Sequence, residues 1–111
     1  MACLFCKIIN KEMPTEIIYE DERFLIIKDI KPVAPIHLLI MPKKHLDSVN
    51  QLAESDKELM GALLLIAKKV AQDVGVSENG YRLILNTGEN AGQSIHHLHL
   101  HLLGGKTLSW P

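Results

Sequence analysis

The sequence predicts an α+β domain: a five-stranded antiparallel meander sheet with one long and one short helix. Two observations carry this prediction. Short runs of strand-forming residues recur with few residues between them, and one long segment keeps the spacing of an amphipathic helix. Short connections favour antiparallel neighbours, because a parallel crossover needs roughly a dozen residues. We expect the helices to lie on one face of the sheet.

Five segments have the composition of strands. The first two form a predicted hairpin over Glu16–Lys28, and the loop that follows contains two prolines, which forbid regular pairing. The other predicted strands are His37–Met41, Tyr81–Asn86 and Ser94–Leu103.

Two segments have helical spacing. Cys3–Lys11 predicts the short helix, and Ser55–Val74 predicts the long one. Ser55 and Glu58 match a capping box at the start of the long helix, and Gly75 suits a left-handed stop at its end.

Length and composition indicate a single domain over residues 1–111. Hydrophobic residues make up 47% of the chain and charged residues 23%, which is an ordinary globular balance. The net charge of −1 argues against a nucleic-acid partner, and the absence of a long apolar run argues against membrane insertion. Two cysteines make no disulfide scaffold, and nothing at the N-terminus resembles a signal peptide, so we expect a cytoplasmic protein.

The most informative stretch is Ser94–Leu103, which holds four of the six histidines. Read as a strand, it places Ile95, His97, His99, His101 and Leu103 on one face, with successive imidazoles about 6.6–6.8 Å apart. The leucines that alternate with them have the pattern of a core face. Three buried imidazoles would each need a polar partner, so a functional role is favoured over a structural one.

Two chemistries fit a row of imidazoles. A metal takes two of them from a His-x-His pair, but His97 and His101 are too far apart on a straight strand to meet at one ion. Alternatively, the row follows a phosphate, with one nucleophile and neighbouring donors. The loop before the strand contains Gly88, Ala91 and Gly92, which let backbone N–H groups turn toward an anion.

The segment His97–Leu103 matches the His-φ-His-φ-His-φ-φ signature, where φ is hydrophobic, and resembles the histidine triad family. Further motifs resemble its Hint-type nucleotide-binding branch: Phe5–Ile9, Tyr19–Asp21, Ala34–His37, Pro42–His45, Gly92–Ser94 and Leu103–Gly105. The resemblance implies hydrolysis of purine nucleoside phosphoramidates and aminoacyl adenylates by a homodimer whose sheets join across a two-fold axis.

The resemblance implies four catalytic residues. His99 corresponds to the nucleophile, which forms a nucleotidyl-histidine and expels an amine. His101 would bond a non-bridging phosphate oxygen, His37 would support the row, and Ser94 would bond the leaving group.

The resemblance also implies the contacts to a purine nucleoside monophosphate or its amidate. Asp29 would grip both ribose hydroxyls, and Ile30 would lie beside the base. Asn86 and Gly92 would hold phosphate, and Gln93 would orient water. Ser94, His99 and His101 also belong to this nucleotide site.

A second constellation begins with Cys3 and Cys6, a pair that alone is often coincidental. In some relatives, histidines at the positions of His45 and His97 complete a structural Cys₂His₂ zinc site. The chemistry itself requires no cofactor.

Two other functions remain open from the sequence. One is a nucleotide-binding regulatory protein of the same fold with little turnover. The other is a metal-dependent enzyme that uses His-x-His ligands.

Overall fold

The apolar runs of the sequence form one sheet, which a computed structural model describes over residues 3–110. The predicted domain 1–111 also includes Met1, Ala2 and Pro111, which lie outside the described residues. The helices are α1 (Leu4–Ile9) and α2 (Lys57–Asp73). The strands are β1 (Ile17–Glu20), β2 (Phe24–Lys28), β3 (Ile36–Pro42), β4 (Tyr81–Ile84) and β5 (Leu100–Gly104). Single 3₁₀ turns occur at Val49–Gln51, Glu54–Asp56 and Glu89–Ala91.

The five strands pair antiparallel in the order β1-β2-β3-β5-β4, which confirms the predicted α+β class. The meander holds for the first three strands only. The chain crosses through α2 to the edge strand β4 and then returns, so that β5 lies between β3 and β4. Burial explains the exchange: four of the five β5 residues are buried, whereas every β4 residue is half-buried.

The two helices lie on opposite faces of the sheet, so the prediction that they share one face is wrong. Phe24 and Ile26 of β2 belong to the core under α2, whereas Leu25 and Ile27 belong to a second core that contains Phe5 of α1. Successive strand residues point to opposite faces. Because all four of these β2 residues are apolar, both faces of the sheet must be covered.

Helix α2 ends as predicted but begins differently. Gly75 adopts a left-handed conformation with φ of 81° after the last turn. At the other end, the predicted box between Ser55 and Glu58 is not formed. Instead, Asp56 accepts a hydrogen bond from the backbone N–H of Ala53 at 2.9 Å, within a preceding 3₁₀ turn. No helix within residues 3–110 is long and apolar enough to cross a membrane.

The histidine strand is shorter than the predicted Ser94–Leu103, because regular pairing begins only at Leu100. The N–H of Leu98 bonds to the carbonyl of Leu46 in a loop, not to a neighbouring strand. The alternation of side chains nevertheless extends upstream of the strand. Leu98, Leu100 and Leu102 are all buried under α2, which leaves the intervening histidines on the opposite face.

Gly104 lies against Val76, and we predict that a side chain there destabilises the fold. A Cβ on Gly104 would lie 2.9 Å from Cγ1 and 3.0 Å from Cβ of Val76. We expect Gly104→Ala to lower the free energy of unfolding by about 1–3 kcal/mol, measured by urea denaturation. Gly61→Ala is the matched control, because no atom lies within 4 Å of the added Cβ and alanine favours the helix. Equal urea midpoints for Gly104→Ala and the wild type would contradict the packing.

Candidate functional site

Three imidazoles form a row on the face of the sheet opposite α2. His101 lies in β5 and His37 in the neighbouring strand β3, and their ring centroids are 5.2 Å apart. His99 lies immediately before β5, with its ring centroid 5.1 Å from that of His101. The sequence predicted His99 and His101 on a common face, and the pairing of β3 with β5 brings His37 beside them.

The hydrogen bond of His99 determines what its free nitrogen can do. Its Nδ1 lies 2.7 Å from the carbonyl oxygen of His97. A carbonyl oxygen only accepts, so Nδ1 carries the proton and Nε2 keeps its lone pair. The ring of Phe5 packs edge-on against this imidazole, with centroids 5.0 Å apart. His99 is therefore a buried imidazole held in the tautomer that a nucleophile requires.

His37 joins the row to a carboxylate. The backbone N–H of Val33 donates to Nδ1 of His37 at 3.1 Å, so the proton of the neutral ring is on Nε2. That N–H donates to Nδ1 of His101 at 3.0 Å, and Oδ2 of Asp29 lies 3.3 Å from Nε2 as a charged neighbour. When His101 accepts at Nδ1, its own proton is on Nε2, where it can be donated to a ligand.

Burial keeps the row uncharged at neutral pH. It lowers the pKa of His99 and that of His37 below the ordinary value, because a charged imidazole loses hydration. The pKa of His101 is lowered to about 4 by burial and then by its neighbours His99 and His37. A neutral row offers lone pairs and N–H donors.

A second cluster lies next to the row of imidazoles and includes His97, two residues before His99. Its members are Cys3, Cys6, His45 and His97. Their ligand atoms all lie within 4.8 Å of one another, and both thiols are free. Sγ of Cys6 is 3.2 Å from Nδ1 of His45 and 3.7 Å from Nδ1 of His97. The structure therefore brings together the four residues that the resemblance implied for a zinc site.

Both imidazoles of this cluster direct a lone pair into it. Nε2 of His97 donates to the carbonyl oxygen of Pro42 at 2.7 Å, and Nε2 of His45 donates to Oδ1 of Asp47 at 2.7 Å. The two Nδ1 atoms then face each other as acceptors, 3.2 Å apart. A bound cation would remove the repulsion between these two lone pairs. In addition, histidines that bind metal typically donate their other ring N–H to a carbonyl or a carboxylate. The donor set of two sulfurs and two nitrogens fits tetrahedral Zn²⁺.

The loop between β4 and the histidine segment bonds mainly to itself. The Gln93 side chain accepts from the N–H of Gly88 at 2.8 Å and donates to the carbonyls of Asp47 and Ile95. The N–H groups of residues 91, 92 and 93 also bond to carbonyls within the loop. The expectation that these N–H groups turn toward an anion is therefore not met in this conformation.

The other predicted nucleotide contacts differ in their exposure, and the cavity that Ser94 lines contains none of the three imidazoles of the row. Ile30 is 90% exposed, and the neighbouring Asp29 accepts the N–H of Lys31 at Oδ1, 2.8 Å away. Asn86 is half-buried, two residues after β4. Ser94 is exposed and lines a cavity of about 410 Å³ together with Cys3, Leu4, His45, Asp47, Ile95 and His96.

Sequence reasoning missed three groups that fix these imidazoles. Asp47 holds His45 and lies only two residues from it, a spacing that signals a carboxylate partner. The carbonyl of Pro42 and the N–H of Val33 are backbone groups, so no residue type indicates them.

Comparison with known proteins identifies the family. The sequence profile of the HIT domain matches residues 10–108. An uncharacterised HIT-like protein of Synechocystis is 47% identical over 108 residues, which cover 97% of this chain and 94% of the relative. The chain belongs to the HIT family. The assignment confirms the predicted resemblance to the histidine triad (HIT) family, whereas membership of its Hint-type branch stays a prediction.

Solved HIT proteins share the whole fold. A HIT family hydrolase from Legionella pneumophila Philadelphia 1 matches with a TM-score of 0.97 at 49% identity, over 99% of this chain and 98% of that one. A histidine triad nucleotide-binding protein from Candida albicans matches with a TM-score of 0.84 at 30% identity, over 99% of this chain and 83% of that one. The exchange of β4 and β5 therefore belongs to an architecture that solved HIT proteins share.

The depressed pKa of His101 predicts a loss of stability in acid. Its pKa is about 4 when folded and about 6.5 when unfolded, so the unfolded chain binds more protons between these values. The stability that His101 contributes is fully present above about pH 6.5 and is lost as the pH falls toward 4. Because the ring is partly exposed and solvent screens its interactions, we expect His101 to account for about 1–2 kcal/mol of the decrease in unfolding free energy between pH 8 and pH 5.

Urea denaturation at both pH values tests this expectation. His101→Gln should flatten the decrease, whereas His96→Gln, which alters an exposed ring, should not. Equal decreases in the wild type and in His101→Gln would refute it.

Proposed function

We propose that this protein is a nucleoside phosphoramidase-type hydrolase that binds purine nucleotides and cleaves nucleoside phosphoramidates or aminoacyl adenylates. The observation that carries the proposal is the hydrogen bond from Nδ1 of His99 to the carbonyl of His97, which leaves Nε2 as a nucleophile. The similar solved structures include a protein named as a hydrolase and another named as nucleotide-binding, which supports both halves of the proposal.

The reaction proceeds by double displacement at His99. Nε2 attacks the α-phosphorus, the P–N bond to the amine breaks, and the amine leaves with a proton from solvent. The nucleotidyl-histidine carries a positive ring, which the bond from Nδ1–H to the carbonyl of His97 stabilises. Water then attacks phosphorus, the P–Nε2 bond breaks, and the ring leaves neutral while the proton of the water passes to solvent. Ser94 bonds the leaving group in this scheme.

His101 and His37 serve the phosphate. His101 accepts the Nε2–H of His37 at Nδ1 and donates from Nε2 to a non-bridging phosphate oxygen. Because the pKa of His101 is held at about 4, it acts as a neutral donor at pH 7.

The remaining contacts follow the residues that the family resemblance implies. Asp29 accepts hydrogen bonds from both ribose hydroxyls, and the exposed Ile30 covers one side of the base. Asn86 holds the phosphate, and Gly92 joins it only if its N–H gives up the bond to the carbonyl of Glu89. The amide of Gln93 orients water only if it gives up a bond within its loop.

A metal-dependent reaction is less well supported. Asp29, His37 and His101 offer three ligand atoms close together. However, Nε2 of His37 carries a proton whenever Nδ1 accepts the N–H of Val33, so no lone pair remains for a metal. A regulatory protein with little turnover remains the other alternative, and the adduct experiment below separates it from the enzyme.

We further propose that Zn²⁺ occupies the cluster of Cys3, Cys6, His45 and His97. The converging Nδ1 lone pairs support this, as do the N–H groups held by Pro42 and Asp47. The metal would be structural, tying the N-terminal segment to the loop after β3 and to the histidine segment. It would supply no step of the reaction.

A homodimer completes the proposal. β4 is an edge strand of the sheet, with one side open to a second copy of the chain. Leu64 and Leu65 on α2 are 55% and 67% exposed, which leaves apolar surface for such a contact.

We predict a covalent adduct on His99. Protein mixed with an adenosine phosphoramidate and quenched in base should gain the mass of one adenylyl group, located on His99 by peptide mass spectrometry. His99→Ala should form no adduct and lose at least about 10³-fold in kcat, because the nucleophile is removed. His96→Ala is the matched control, since it removes an exposed histidine of the same segment. Turnover by His99→Ala at the wild-type rate would refute the mechanism, and binding without turnover by the wild type would favour the regulatory alternative.

We predict one zinc ion per chain. Elemental analysis of protein from zinc-supplemented cells should give a ratio near one, and Cys3→Ser/Cys6→Ser should give a ratio near zero. A chelator should lower the Tm of the wild type but not that of the double variant. Phosphoramidate turnover well below the Tm should persist after chelation, whereas a metal-dependent enzyme would lose it. Wild-type protein without zinc would refute the proposed site.

A further inference from the structure

The side chain of Gln93 joins three separate parts of the chain near the row of imidazoles. Its Oε1 accepts the N–H of Gly88 at 2.8 Å, and its Nε2 donates to the carbonyl of Asp47 at 2.6 Å and to that of Ile95 at 3.1 Å. An N–H only donates and a carbonyl only accepts, so these three partners fix which end of the amide is nitrogen. Both N–H donors of the amide are therefore used, and the residue is only 7% exposed.

The bond to Ile95 acts on the proposed nucleophile through the backbone. The carbonyl of Ile95 also accepts the N–H of His97 at 2.9 Å, which makes a tight turn of the chain at this point. The carbonyl of His97 in turn accepts the Nδ1–H of His99 at 2.7 Å. Gln93 therefore holds the turn that presents the carbonyl on which the tautomer of His99 depends.

The bond to Asp47 ties the same turn to the loop after β3. The residue before Asp47 is Leu46, whose carbonyl accepts the N–H of Leu98 at 2.7 Å. Two successive carbonyls of this loop thus hold the turn, one through the Gln93 amide and one directly. His97 lies between the two attachment points at Ile95 and Leu98, so the direction of its carbonyl is set from both sides.

We propose that Gln93 is a positioning residue that holds the carbonyl of His97 against Nδ1 of His99, and that it does not orient the water that attacks phosphorus. The catalytic consequence rests on the proposed function. Orienting a water needs an accessible polar atom, whereas both N–H groups of this buried amide are engaged and its oxygen is held by Gly88. The role therefore differs from the one that the family resemblance implies.

The two roles act on different steps of the reaction. Without the positioning bonds, the ring of His99 can take the Nε2–H tautomer, which has no lone pair for attack, so the nucleotidyl-histidine forms more slowly. Without a water-orienting group, only hydrolysis of the nucleotidyl-histidine slows, so the adduct accumulates. We expect Gln93→Met to slow adduct formation about tenfold, the rate equivalent of one hydrogen bond, and not to slow hydrolysis of the adduct.

Rapid-quench mass spectrometry with an adenosine phosphoramidate measures both steps. Gln72→Met is the matched control, because it makes the same substitution at an exposed position of α2 and should keep both rates. Accumulation of adduct in Gln93→Met above the wild-type level would assign Gln93 to the water step and overturn the proposal. Adduct formation at the wild-type rate in Gln93→Met would overturn it as well.

The tautomer of His99 provides a test that involves no chemistry. Long-range ¹H–¹⁵N spectra report which ring nitrogen carries the proton, and the wild type and Gln72→Met should both show Nδ1–H. Gln93→Met should show a larger fraction of Nε2–H. A merely structural role of Gln93 would lower the urea midpoint and leave the tautomer unchanged, which would refute the positioning role. If the tautomer changes but the wild type forms no adduct, the positioning role stands and the proposed function is wrong.

Hydrogen exchange of the unaltered protein tests the same bonds without a variant. The two Nε2 protons of Gln93 should exchange slowly with solvent, both in the free protein and with adenosine monophosphate bound, because carbonyls hold them in a buried site. A water-orienting role requires a bond to be released when the nucleotide binds. Rapid exchange of these protons in either state would overturn the proposal, even if Gln93→Met failed to fold.

Discussion

The chemistry of this protein depends on the hydrogen bond that occupies one nitrogen of each buried imidazole. A ring that donates to the chain keeps a lone pair for its task, whereas a ring that accepts from the chain keeps an N–H. His99 donates a hydrogen bond from Nδ1–H to a carbonyl and keeps a lone pair on Nε2. His37 accepts a backbone N–H and is left as a donor. Adjacent histidines therefore have opposite capacities, which their positions in the chain impose.

His97 connects the cluster of possible metal ligands to the row of imidazoles. Its Nδ1 faces the two thiols, its Nε2 is held by Pro42, and its carbonyl holds His99. The residue is completely buried, so its ring and its carbonyl are fixed together. A metal held by the His97 ring would therefore also fix His99, the proposed nucleophile, through the carbonyl of His97.

The features that could be predicted from the sequence are those that follow from the spacing of apolar residues along a strand or a helix. The alternation of Leu98, Leu100 and Leu102 with histidines identified both the core face and the row, and helix α2 followed from its spacing. The position of α1 across the sheet could not be predicted, because it depends on tertiary packing of strands that are apolar on both faces. The residue whose carbonyl sets the His99 tautomer could not be predicted either, since every residue carries a backbone carbonyl and only the fold brings that of His97 to Nδ1 of His99.

The error in the predicted length of β5 has the same origin as the tautomer of His99, namely the carbonyl of His97. A strand continued back through His97 would commit its carbonyl to the ladder of a neighbouring strand. In the structure, the N–H of His97 turns back to the carbonyl of Ile95, the next N–H bonds to Leu46, and the carbonyl of His97 accepts from the ring of His99. The chain thus gives up sheet pairing where the site needs a backbone acceptor. Alternation alone predicts which face each side chain takes, but the strand begins later than predicted because the carbonyl of His97 accepts from the His99 ring and not from a neighbouring strand.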